Sequence, residues 1–149
     1  MSILARAALL GLATGGRSSL GPAALALTST RTRGGSAVTR PWVAKAAAGV
    51  SAAEFVGDKL PGIPSRLQPQ GAVPRLVLGA LSGGVLAHRE GNSRAVTALS
   101  AAIGVAAAVA GIKAGVSWRG LASDKFGTDL PGALLEDATW LATARSAVN

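Results

Sequence analysis

The 149-residue sequence predicts an all-α fold: a multi-pass transmembrane helical bundle of four crossing helices plus a broken or re-entrant N-terminal helix. Three observations predict it. The chain is 49% hydrophobic but only 15% charged, with a mean hydropathy of +0.40, whereas an ordinary soluble domain carries roughly 25% charged residues. One stretch, Ala95 to Ile112, runs 18 residues without a charge, which meets the lower limit for crossing a bilayer. And 32 alanines with 20 glycines leave too little side-chain bulk for a water-facing core, since burial yields only about 25 cal/mol per Å² of apolar area.

The opening segment, Ile3 to Leu27, is apolar but interrupted by Gly15-Gly16-Arg17-Ser18-Ser19 and then Gly21-Pro22. Helix breaks at membrane depth are tolerated where the freed backbone is buried in protein, so a helix over about 3–28, broken or re-entrant at its middle, is expected. The stretch 1–50 is free of acids, so an organelle transit peptide is an alternative reading. The second helix, about 42–60, ends at Pro61, which cannot continue it. Its large apolar residues offer about −1.5 to −3 kcal/mol for insertion, while a charged Glu54 costs about +2.5 to +3.5; it needs partners. The third helix, about 72–88, has Pro74 in its first turn, where proline is accepted. The fourth, about 94–116, contains the charge-free stretch, whose Val96, Leu99, Ile103, Val105, Val109 and Ile112 favour insertion by about 2–4 kcal/mol. Lys113 at its end reaches the interface as a counter-charge. Trp118 to Leu130 reads as the longest connection, with room for a short surface helix. The last helix, about 131–148, carries Glu136 and Asp137. The whole chain, 1–149, reads as one integral-membrane domain.

Charge sets orientation. The net charge is +8, and the first acidic residue is Glu54. If the helices alternate, Arg31, Arg33, Arg40, Lys45, Arg89, Arg94 and Arg145 fall on one face, against Arg66, Arg119 and Lys125 on the other; the richer face is the cytoplasmic one. The basic residues form no run and almost no aromatics interleave them, which argues against nucleic acid.

Lipid gives helices no hydrophobic drive to associate, so small residues must let backbones approach. Gly11 and Gly15, Gly79 and Gly83, and Gly111 and Gly115 each have that four-residue spacing, though a chain this rich in glycine produces some such pairs by chance. Glu54 and Asp58 share a helix face. Arg75 lies on the Gly79 and Gly83 face, and the Pro-rich 61–70 linker brings it to the depth of Asp58, so an Asp58–Arg75 pair is expected. Glu136 and Asp137 enter from the same side, roughly 8 Å deep at about 1.5 Å per residue. Four carboxylates thus gather toward one leaflet with Arg75, Arg17 and Lys113 as counter-charges. Such a cluster either locks the bundle or lines an ion or solute pathway.

Other chemistry finds no support in the sequence. His88 is the single histidine and there is no cysteine, so a zinc site is not expected. There is no Ser/His/Asp arrangement. Gly11 to Gly16 matches neither a dinucleotide fingerprint nor a phosphate loop. No enzyme, cofactor or metal is expected.

Glu54-Phe55-Val56-Gly57-Asp58-Lys59-Leu60-Pro61, followed by Pro64-Ser65-Arg66, resembles the E-x-x-x-D-K-x-P … P-S-R signature of an uncharacterised bacterial integral-membrane family, catalogued as domain of unknown function 4126. Gly15-x-Arg17-Ser18 followed by Pro22, Arg75 with its spaced glycines, and Glu136-Asp137 are similar as well. The resemblance runs from about Arg6 to Val148. It implies a small multi-pass protein of the bacterial plasma membrane and brings no activity. Three readings follow: a structural or accessory membrane protein, alone, as a homo-oligomer or in a membrane complex; a carrier or channel using Glu54 and Asp58; or a soluble Ala-rich helical protein with a cleaved organelle peptide.

Overall fold

The computed structural model describes residues 1–29, 45, 49, 68–126 and 129–149. Among the described residues there are five helices and no strands: α1 (Ile3–Gly16), α2 (Leu20–Ser29), α3 (Pro69–Arg89), α4 (Arg94–Phe126) and α5 (Asp129–Val148). The helix expected over 42–60 and the 61–67 linker lie outside the described residues, apart from the isolated helical positions Lys45 and Gly49.

Local chemistry sets the helix ends. Ser2 starts α1 by accepting the Ala5 amide at 3.3 Å, which satisfies one of the four donors a helix start leaves open. After Gly15 and Gly16 the backbone turns extended at Arg17 (φ −138°). A tight turn follows, in which the Leu20 amide donates to the Arg17 carbonyl at 3.1 Å. α2 then returns alongside α1, so that Leu25 packs in one cluster with Leu10, Leu86 and Ala147. The N-terminal segment is therefore a helical hairpin whose tip is Arg17. α3 begins at Pro69, three residues earlier than expected, so Pro74 sits in its second turn. The α3–α4 turn uses Gly91 at φ +72°, a conformation that suits glycine, and Asn92 Nδ2 ties it to the Ala87 carbonyl at 3.1 Å. The Ser93 hydroxyl caps α4 by accepting the Val96 amide at 3.3 Å.

α4 is the spine. It runs 33 residues, about 50 Å at the usual rise, and continues through the stretch expected to be a connection. Ala122 packs on Gly132, and the Trp118 indole donates to the Gly132 carbonyl at 2.8 Å, so this end of α4 has a partner that the sequence pattern did not reveal. α1 and α3 both pack on one α4 face through small residues. A side chain built at Gly11 would overlap the Gly104 backbone, and one at Gly15 the Ala108 backbone. From α3, one at Gly79 would lie 2.8 Å from the Gly104 carbonyl oxygen, and one at Gly83 would overlap that of Ser100. Gly111 meets the backbone of Leu12 and Gly15 in turn. Gly11, Gly15, Gly79 and Gly83 therefore sit at helix contacts, and their common seat is Ser100, Gly104 and Ala108.

One helix among those described, Arg94–Lys125, is long and apolar enough to cross a membrane, its most apolar 18-residue window having a mean hydropathy of 2.1. α1 is apolar but short, and α5 carries Glu136, Asp137 and Arg145 within its 20 residues.

Candidate buried ionic site

The hairpin tip places an arginine inside the protein. Arg17 is 0% exposed. Its Nε donates to Asp137 Oδ1 at 2.8 Å, and its Nη2 pairs with the same oxygen. Gly16 makes this approach possible: its backbone lies against the Trp140 indole so closely that a Cβ there would overlap the ring. Trp140 is held in turn by its own helix, its Nε1 donating to Glu136 Oε1 at 3.1 Å. The second Glu136 oxygen accepts from Arg119 Nε at 2.9 Å. Glu136 and Asp137 are adjacent and both buried, yet successive helical positions diverge by about 100°. One carboxylate therefore serves α4 and the other the hairpin tip. Together they tie α1, α4 and α5 at one level.

Asp137 lies about 12 Å, and Arg75 about 9 Å, from the starts of their helices at 1.5 Å per residue. Arg75 is buried, and its Nη1 donates to the Gly71 carbonyl at 2.7 Å. Asp137 Oδ2 is buried without a hydrogen-bond partner. Beside the tip, Gly21 leaves space for the Thr14 and Ser82 hydroxyls, while Thr14 also donates to the Leu10 carbonyl at 2.7 Å.

Of the residues the sequence singled out, Arg17, Glu136 and Asp137 come together in this network, and Arg75 is buried on α3. Glu54, Asp58, Lys59, Pro61, Pro64, Ser65 and Arg66 lie outside the described residues, and the expected Asp58–Arg75 pair with them. Lys113 is exposed on α4 rather than turned toward the bundle interior. Arg119 escapes the sequence pattern because it falls in the stretch expected to be a connection; with α4 continuous, it reaches Glu136. The Arg6–Glu90 ion pair was also missed, since nothing in the sequence signals that the start of α1 meets the end of α3. Among the described residues no group of three or more His, Cys, Asp or Glu side chains could hold a metal ion.

No protein-family model, curated protein or solved structure matches this chain. The resemblance noted above therefore rests on its motif residues alone.

Proposed function

We propose that the chain is a multi-pass integral membrane protein with a structural or accessory role, whose buried ionic cluster fastens the re-entrant hairpin into the bundle. The observation that carries this reading is an inverted polarity. Arg17, Arg75, Glu136, Asp137, Ser82 and Ser100 are buried. Meanwhile Val73, Val77, Leu81, Leu121, Leu130, Leu134, Leu135 and Leu141 are each more than half exposed. Water penalises both halves of that arrangement, because buried charge is costly and a broad apolar exterior invites association. A bilayer favours both. α3 and α5, at 21 and 20 residues, also have the length to cross about 30 Å of hydrocarbon once their charges face protein. The end of the bundle bearing Arg89, Arg94 and Arg145 is then cytoplasmic.

Carbonate washing of membranes from expressing cells tests the reading. The protein is expected in the pellet; release into the supernatant sinks the membrane assignment and favours the soluble alternative.

One observation favours a second reading, a carrier or channel: Asp137 Oδ2 is buried and unpartnered at the tip of a broken helix, and broken helices around a charged site are a transporter device. Ion flux in proteoliposomes that is lost in Asp137→Asn supports it; absence of flux from the unmodified protein rejects it.

A further inference from the structure

Four arginines from four different helices meet at one end of the bundle. Arg6 of α1 pairs with Glu90 and donates from Nε to the Ala147 carbonyl at 2.7 Å. Those contacts bring the start of α1, the end of α3 and the end of α5 together. Arg89 of α3 donates from Nη1 to the Leu25 carbonyl at 2.9 Å, which adds the end of α2. Arg94 opens α4 just beyond the Glu90 turn, Arg145 lies in the last turn of α5, and both are exposed. Glu90 is the one acidic side chain among the described residues at this end, and Arg6 engages it. Directly inward comes exposed apolar surface: Leu99 lies just past Arg94, Leu141 one turn before Arg145, and Leu27 beside the Leu25 carbonyl that Arg89 holds.

We propose that this end is a basic collar that holds anionic phospholipid headgroups. The inference rests on the membrane reading above and names the partner of that surface. A positive ring bordering an apolar belt fits lipid, whose phosphate and acyl chain lie at those two levels, and basic surface between helix ends is where acidic headgroups bind. It does not fit a nucleic acid, which needs a continuous basic track and stacking rings; Trp118 and Trp140 lie toward the opposite end, against Gly132 and Gly16. Among the described residues, the exposed charges toward that opposite end, Lys113, Asp124 and Lys125, are of mixed sign and form no comparable collar.

The full-length protein, purified in neutral detergent, is mixed with equimolar phosphatidylglycerol and phosphatidylcholine of matched chains, and retained lipid is counted by native mass spectrometry. Phosphatidylglycerol is expected to be retained preferentially. The Arg94→Gln/Arg145→Gln variant, which touches no intramolecular contact described above, is expected to lose about fivefold in that preference per arginine removed. Lys125→Gln is expected to leave it unchanged. Equal retention of the two lipids by the unmodified protein overturns the collar, as does displacement of the lipid by excess inorganic phosphate, which marks a site for soluble phosphate. An equal loss in Lys125→Gln also overturns it, by showing attraction to net charge alone. Should the double variant fail to fold, the lipid ratio and the phosphate competition on the unmodified protein still decide. A protein that stays in the carbonate pellet without lipid preference refutes the collar alone; one released by carbonate refutes the membrane reading as well.

Discussion

Replacing Arg17 by methionine should be among the most damaging single changes in the molecule. Arg17 is 0% exposed and supplies both hydrogen bonds that Asp137 Oδ1 receives from it, while Oδ2 has none. The variant thus strands a carboxylate that is only 6% exposed. Leaving one member of a buried pair without the other costs about 3–5 kcal/mol. At about 2–4 °C per kcal/mol for a chain of this size, the melting temperature in detergent should fall by roughly 6–20 °C. Thermal unfolding followed by intrinsic tryptophan fluorescence suits the measurement, because Trp140 packs on Gly16 next to the tip and reports the loss directly. The double variant Arg17→Met/Asp137→Leu removes both charges and should recover most of the loss, since apolar replacement of a whole buried pair is often neutral. A melting temperature within about 2 °C of the unmodified protein for Arg17→Met, or a double variant no better than the sum of the singles, would refute the lock.

Three further outcomes are expected. Gly104→Ala drives a methyl group into the Gly79 backbone and should cost about 1–3 kcal/mol by denaturant titration. Gly120→Ala on the same helix meets nothing within 4 Å and should instead gain up to about 1 kcal/mol from helix propensity; equal effects at the two sites contradict the packing described. Because the chain has no cysteine, single cysteines map its topology without background. Ser2→Cys, Leu27→Cys and Ser93→Cys should react with an impermeant maleimide from one side of sealed vesicles and Asp124→Cys from the other; opposite labelling of Ser2→Cys and Leu27→Cys rules out the re-entrant hairpin. Trp118→Phe loses the bond to the Gly132 carbonyl and should destabilise the α4–α5 contact by about 0.5–1.5 kcal/mol, read as faster amide exchange in residues 118–126.

Much of the helical plan was legible in the sequence because it depends on local chemistry. Gly15, Gly16 and Arg17 break the first helix by removing propensity and adding charge, and the glycine pairs mark close contacts because a side chain there meets backbone. Whether the break was re-entrant was not legible: the direction of α2 is fixed by Leu25 meeting Leu86 and Ala147, contacts made across the whole chain. The continuation of α4 was hidden for the same reason. Gly120 and the polar residues after Trp118 read as a connection, and the contacts of Trp118, Arg119 and Ala122 with α5 give that end of the helix its partner. The Ser100, Gly104 and Ala108 seat is legible in principle as small residues four apart, but it lies inside the charge-free stretch, whose composition does not distinguish a lipid-facing side from a helix-facing one. In the ionic site, the sequence names Arg17 as a counter-charge to the buried carboxylates, but it does not say which carboxylate each arginine takes. Rotation about the α5 axis decides that, giving Asp137 to Arg17 and Glu136 to Arg119.

The bond between Arg17 and Asp137 joins residues 120 positions apart. At about 5–20 residues per second, the ribosome exposes this arginine roughly 6–24 s before its counter-ion exists. During that interval the guanidinium has no partner from α5, so the hairpin tip cannot take its buried seat until the final helix is made. A protein truncated before Asp137 should consequently carry its first 29 residues unseated and open to protease, even with α3 and α4 formed.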